Sequence, residues 1–115
     1  MDESILTSIK TQLSLEPEDD SFDREIIIFI NAAFARLTQL GVGPISGFSI
    51  VDENQTWDEF VVDITQEEMS KVYVYLKVKT LFDPPTNSSL AKAMEEQIKE
   101  YEYLLKVEAE DDAYV

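Results

Sequence analysis

The sequence predicts an all-α protein: a bundle of four main helices with a long irregular loop between helices 2 and 3 that holds either a short hairpin or one helical turn. Three observations support this class. Apolar residues recur every three or four positions in separate segments of the chain. Glycine or proline clusters divide these segments, and residues that favour helix N-termini precede them. We expect one domain, residues 1–107, because 115 residues are few for two compact cores.

Composition limits the function before any motif is considered. The formal net charge is −15, so tight nucleic-acid binding is not expected, because it relies on Lys and Arg that displace counterions. The chain has no Cys and no His, which removes disulfides, thiolate nucleophiles, imidazole bases and the usual zinc ligands. No apolar run approaches the roughly 20 residues that cross a bilayer, and the first residues lack a basic signal-peptide region. We therefore expect a soluble intracellular protein with no membrane partner.

The first helix is predicted over Glu3–Leu13, where apolar residues spaced four apart form one stripe: Ile5, Ile9 and Leu13. Pro17 then breaks the helical pattern. Asp20 or Ser21 is the predicted N-cap of the next helix, because both side chains accept hydrogen bonds from backbone N–H groups.

The second helix is predicted over Phe22–Leu40, with a wide apolar face toward the core. Ile28 falls on the opposite, polar face and is a candidate interaction residue, although single exposed apolar residues are also common on monomers. The segment Gly41–Gly47 holds all three glycines, so the helix must end at Leu40 with a glycine available as a left-handed cap.

The loop after this helix contains the only tryptophan of the chain. Phe48–Val51 has the pattern of a short extended piece, and Thr56 is a candidate cap for one helical turn from Trp57 to Phe60. Trp57 has two interpretations: it closes the open end of the bundle as a core residue, or it anchors a ligand or partner and is then an interaction residue.

The third segment has two readings. Lys71–Lys79 alternates polar and apolar residues like a half-buried strand, whereas Thr65–Glu68 has the capping-box pattern that begins helices. We favour a helix over Gln66–Phe82. It would be apolar on two faces, as in a central helix or one that meets another subunit, and three residues on one face are candidate interaction residues: Tyr75, Val78 and Phe82.

The fourth helix is predicted over about Ser89–Val107, because Pro84 and Pro85 end the preceding helix and polar caps follow them. Its expected buried stripe is Leu90, Met94, Ile98, Tyr101 and Leu105. Residues 108–115 are predicted to be an acidic, flexible tail. The last two residues of that tail, Tyr114 and Val115, are candidate interaction residues.

No catalytic, cofactor or metal site is predicted. Carboxylates are the only plentiful reactive groups, and we interpret pairs such as Asp58 and Glu59 as solvated side chains. The acidic cluster at residues 16–23 lacks the glycine and glutamate spacing of a calcium-binding EF-hand loop. The glycines at 41–47 lack the lysine of a phosphate-binding loop.

Several segments resemble a known family, the small helical head-tail connector proteins of long-tailed bacteriophages, also called head-completion or adaptor proteins. The similarity covers most of the chain and lies in residues 22–26, 30–34, 37–44, 57–60 and 75–85. None of these segments is a catalytic signature.

The resemblance implies a structural, non-enzymatic subunit that assembles in the host cytoplasm and ends at the head-tail interface of the virion. It implies self-association into a ring of twelve beneath the portal protein, where the ring extends the DNA exit channel and receives a tail-side connector or stopper protein. The strong negative charge suits a channel wall along which DNA slides without binding.

Two other functions explain the charge: an inhibitor that mimics DNA, and a small acidic adaptor or chaperone that binds a basic protein surface. Neither accounts for the segments that resemble connectors. A DNA mimic would bind a DNA-processing enzyme in competition with DNA, whereas a connector would bind portal rings.

Overall fold

The computed structural model describes residues 3–61 and 63–113, with only the backbone helix described for 111–113. The elements in chain order are α1 (Ile5–Gln12), α2 (Asp23–Gln39), α3 (Trp57–Phe60), α4 (Ile64–Phe82) and α5 (Ser88–Ala113). These described residues contain no strand, only an isolated antiparallel bridge between Ser4 and Thr56. The predicted all-α class is confirmed.

Helix α1 is tied to the segment before α3. Ser4 caps the helix by accepting a hydrogen bond from the backbone N–H of Thr7 at 3.2 Å. The N–H of Ile5 donates to the carbonyl of Gln55 at 3.0 Å. The loop between α2 and α4 therefore returns to the beginning of the chain.

The turn between α1 and α2 is held by a buried lysine and not by the predicted caps. Lys10 is 3% exposed, and its Nζ donates to the carbonyls of Pro17 and Asp19 and pairs with Asp23 at 2.8 Å. The N-cap position of α2 is Phe22, which has no capping side chain, so the prediction of Asp20 or Ser21 is wrong. The Lys10 contacts therefore fix the turn, while α2 begins without a side-chain cap.

Helix α2 ends as predicted, at a glycine in the left-handed region. Gly41 has φ +87°. Its N–H donates to the carbonyl of Thr38, and the N–H of Val42 donates to the carbonyl of Leu37, both at 3.0 Å. This pair of bonds is a Schellman motif, which satisfies carbonyls that the helix end leaves free.

The long loop is anchored to α2 by one amide side chain. Asn31 donates from Nδ2 to the carbonyl of Ile50 at 2.9 Å and accepts from the N–H of Ile50 at 2.8 Å. The extended piece predicted at 48–51 therefore bonds to a side chain and forms no strand. The predicted single helical turn is present as α3.

Helix α4 is the central helix of the bundle. It packs against α2 on one side and α5 on the other, which accounts for its two apolar faces and confirms the helical alternative for residues 71–79. Its N-cap is Asp63, whose Oδ1 accepts from the N–H of Gln66 at 2.9 Å. The predicted cap, Thr65, is wrong because the helix already begins at Ile64.

Helix α5 is longer than predicted. Asn87 caps it, accepting from the N–H groups of Ser89 and Leu90 at 2.8 and 3.1 Å. The helix continues beyond Val107, and Ala109 packs against the core. Leu90, placed in the buried stripe by the spacing, is 54% exposed, because the N-terminal part of α5 extends past the core. Whether residues 108–115 are flexible stays a prediction.

The core lies between α1, α2, α4, the C-terminal part of α5 with Leu105, and the loop that carries α3. Its aromatic centre is Phe34, whose ring contacts those of Phe48, Trp57 and Phe60 with centroids 4.7 to 5.9 Å apart. Within the described residues, no helix combines the length and the apolar character that crossing a membrane requires.

Candidate interaction surfaces

The predicted interaction residues divide into surface and core positions. Ile28 is 59% exposed on the outer side of α2. Tyr75 and Phe82 are half-buried on α4. Trp57 and Val78 are enclosed in the core, so a contact through either side chain would require the fold to open. The other two candidates, Tyr114 and Val115, lie outside the described residues.

The outer face of α2 is poor in charge for so acidic a chain. Ile28, Ala32 and Ala35 are all exposed on it, at spacings of four and three that place them on one line of the helix. Charged residues flank this line at Arg24 and Arg36. It is an apolar strip without a partner in the monomer.

A polar cluster joins three helices beside the core. The hydroxyl of Tyr73 donates to Glu102 Oε2 at 2.7 Å, and Arg36 Nη2 donates to Glu102 Oε1 at 3.1 Å. Burial raises the pKa of the Tyr73 hydroxyl, and its bond to Glu102 raises it further. Burial by itself would raise the pKa of Glu102, but the bonds from Tyr73 and Arg36 outweigh it and hold that pKa below its usual value. The cluster fixes α5 against α2 and α4.

Replacing Tyr73 with phenylalanine is expected to lower the free energy of unfolding by about 1.5 to 3 kcal/mol near pH 7, the range for hydrogen bonds to charged groups. The folded-state pKa of Tyr73 is raised, so its contribution is complete below the unfolded pKa of about 10 and is lost as the pH rises above it. Urea titrations at several pH values measure both effects.

Tyr103→Phe is the matched control, because Tyr103 is 67% exposed on α5. It should leave the free energy of unfolding unchanged within about 0.5 kcal/mol. If Tyr73→Phe and Tyr103→Phe lowered the free energy of unfolding equally, the result would contradict a stabilising role for the cluster.

A groove runs between α4 and α5, with a volume of about 470 Å³. Its apolar floor is formed by Leu81, which is 50% exposed, and by Ile98. Lys77 and Lys99 also line the groove. Glu95 and Glu102 also line the groove, but Glu95 pairs with Lys99 at 3.4 Å and Glu102 belongs to the polar cluster.

Sequence reasoning missed the α4–α5 groove. Its lining comes from two helices, Lys77 and Leu81 from α4 and Ile98 and Lys99 from α5, and no local pattern in the sequence links these residues.

An acidic surface lies on another part of the molecule, where the turn between α1 and α2 meets the loop at 51–53. Glu18, Asp20, Asp52 and Glu53 line it, together with Val51, which is 73% exposed. In the part of the chain that the structure describes, no group of three or more acidic side chains is arranged to hold a metal ion.

A family model described as phage connector protein matches residues 5–112, which is nearly the whole chain. No curated protein and no solved structure gives a significant match.

Proposed function

The chain belongs to the phage connector protein family, and we propose that it is a subunit of the head-tail connector, which forms a ring of twelve beneath the portal protein. In this proposal the ring extends the DNA exit channel and receives a tail-side connector or stopper protein. The subunit assembles in the host cytoplasm and remains in the virion. The family gives it a structural role, and we assign it no enzymatic activity.

One observation carries this proposal: the family match spans residues 5–112, from the first residue of α1 to the last residue but one of α5. The surface of the fold supports it. A subunit that docks on the portal needs apolar surface that the monomer leaves uncovered, and the outer face of α2 with Ile28 provides such surface. Tyr75 and Phe82 on α4, and Tyr114 and Val115 at the C-terminus, remain further candidate contacts.

The negative charge fits a subunit of a DNA channel. With a net charge of −15, a wall built from many copies would repel the phosphate backbone and let DNA pass without binding. The basic side chains are not spread evenly over the surface, since Lys77 and Lys99 lie along one groove. We therefore propose that this groove does not face the channel.

Binding to the portal tests the proposal directly. Purified wild-type protein should co-sediment with portal rings of the phage that encodes it. Ile28→Asp should weaken this binding about tenfold or more, because a charge at the centre of an apolar contact cannot be desolvated without a partner. The measurement is the fraction bound as a function of protein concentration.

Ile64→Asp is the matched control. Ile64 is 73% exposed in the first turn of α4, where an acidic residue interacts favourably with the helix dipole. It should bind like the wild type. No binding of the wild type to portal rings, together with competition against DNA for a DNA-processing enzyme, would instead favour the DNA-mimic function.

A further inference from the structure

The chain has few basic residues, and only some of them are free of strong ion pairs. Of the 9 Lys and Arg, several are held by intramolecular pairs: Lys10 with Asp23, Arg36 with Glu102, Lys71 with Glu3, Glu67 and Glu68, and Lys79 with Asp83. Among the described side chains, Arg24, Lys77, Lys92 and Lys106 form no ion pair. Lys99 pairs only with Glu95, and both are highly exposed, so that pair contributes little. Of these cations without a strong partner, Lys77 and Lys99 line the α4–α5 groove, which therefore offers two positive charges to a partner.

The turn at 51–53 complements the groove, because it carries one apolar and two acidic side chains. Val51 is an exposed apolar side chain, and two acidic residues, Asp52 and Glu53, follow it directly. Gln55 Oε1 accepts from the N–H groups of Val51 and Asp52 at 2.7 and 3.0 Å. The adjacent Ile50 is fixed to Asn31. The turn is thus a preorganised projection, which reduces the entropy lost on binding.

The groove and the turn lie on opposite flanks of α2. Asn31 holds the segment that carries the turn, whereas Arg36 reaches α5 through Glu102. These two residues are five positions apart, which places them about 140° apart around the helix axis. A contact between turn and groove is therefore made by two chains and not within one.

We propose that the turn at 51–53 of one copy docks in the α4–α5 groove of a second copy. Val51 packs on the floor formed by Leu81 and Ile98, and the carboxylates of Asp52 and Glu53 lie beside Lys77 and Lys99. The occupant is a second copy because subunits of charge −15 repel one another unless the contact joins opposite local charges.

The contact uses two different faces, so it is head-to-tail, and such a contact produces a closed ring when the rotation between subunits closes. This inference rests on the proposed connector ring and specifies its lateral contact. It is independent of the portal-binding surface tested through Ile28.

Paired charge reversals test the contact in particles of the phage. The double variant Lys77→Glu with Lys99→Glu reverses the charge of these groove residues. The double variant Asp52→Lys with Glu53→Lys reverses the charge of the turn. Each double variant supplied alone should be incorporated into heads at least about tenfold less than the wild type, because like charges then meet across every contact. Supplied together, the two proteins should be incorporated, since each turn then faces a groove of opposite charge.

A control with an equal change in charge is Glu96→Lys with Glu100→Lys, on the exposed side of α5. It should be incorporated like the wild type. Incorporation of either reversed variant alone at the wild-type level would overturn the proposed contact. Failure of the two folded variants to be incorporated together would overturn it as well.

Single cysteines separate this contact from the connector function, because the chain has no native cysteine. Particles containing both Val51→Cys and Leu81→Cys proteins should give a disulfide-linked dimer. Ile45→Cys, at a fully exposed loop position, combined with Leu81→Cys should not. Chains that are incorporated but not cross-linked would refute the contact and leave the connector function standing. Absence of the wild-type chain from particles would refute the connector function itself.

Discussion

We expect Trp57→Ala to lower the free energy of unfolding by about 3 to 5 kcal/mol, the usual cost of removing a large aromatic side chain from a core. Trp57 is 1% exposed, and its ring contacts that of Phe34 at a centroid distance of 5.9 Å. Its indole N–H donates to Ser8 Oγ at 2.9 Å, so the variant also loses a bond between α3 and α1. Urea unfolding followed by far-ultraviolet circular dichroism measures the loss.

Trp57→Phe separates packing from hydrogen bonding. It keeps most of the aromatic volume and removes only the bond to Ser8, so the expected loss is smaller and includes about 1 kcal/mol for that bond. The wild-type fluorescence should be blue-shifted, because the indole is buried. An emission like that of free tryptophan, or a loss in Trp57→Ala no greater than about 0.5 kcal/mol, would show that Trp57 is exposed and does not complete the core.

Gly43→Ala should be the other strongly destabilising substitution. Gly43 has φ +84°, which costs about 1 to 3 kcal/mol for a residue with a side chain. A Cβ at this position would also overlap the ring of Phe60. That ring is 2% exposed and packs on Phe34 with centroids 4.7 Å apart, so it cannot move without disturbing the core. Overpacking of this kind adds about 1 to 3 kcal/mol.

Gly47→Ala is the control that isolates the overpacking against Phe60, because it introduces a side chain at a positive φ without an overlap. Gly47 has φ +96°, but its added Cβ meets nothing closer than Thr38 Oγ1 at 4.0 Å. Thermal or urea unfolding of the two variants should therefore differ by the overpacking cost alone. Equal losses would mean that the backbone conformation explains both variants and that Phe60 accommodates the methyl group.

The main helices could be predicted from the sequence because their apolar residues repeat at the helical period. Helix α4 is the least certain of them in the sequence, because the alternation in Lys71–Lys79 also matches a strand. The capping pattern ahead of it and the resemblance to connector proteins favour a helix. The particular cap could not be chosen, because Asp63 and Thr65 are both good N-cap residues. The structure selects Asp63 since helical geometry begins at Ile64.

Features that depend on contacts distant in sequence could not be predicted. The buried Lys10 is indistinguishable in the sequence from a solvated lysine until the turn between α1 and α2 closes over it. The cluster of Arg36, Tyr73 and Glu102 joins three helices, and no local pattern links these residues. The continuation of α5 from Val107 to Ala113 includes a contact of Ala109 with the core, which the acidic composition of this segment does not reveal.

The candidate surfaces were predictable in part. Ile28 stood out because an aliphatic residue on a polar helix face conflicts with the periodicity, and it is exposed in the structure. The sequence does not reveal the α4–α5 groove, because Leu81 lies in a helix predicted to be apolar on two faces and Ile98 belongs to the predicted buried stripe of α5. Only the antiparallel packing of these helices leaves part of both side chains open to solvent.

The most direct test of the central claim is to remove the gene from the phage and image the particles by electron microscopy. A structural subunit that joins head to tail predicts separate populations of DNA-packaged heads and free tails, with infectious particles restored when the wild-type protein is supplied. Complete, infectious particles at the wild-type yield in its absence would contradict the account.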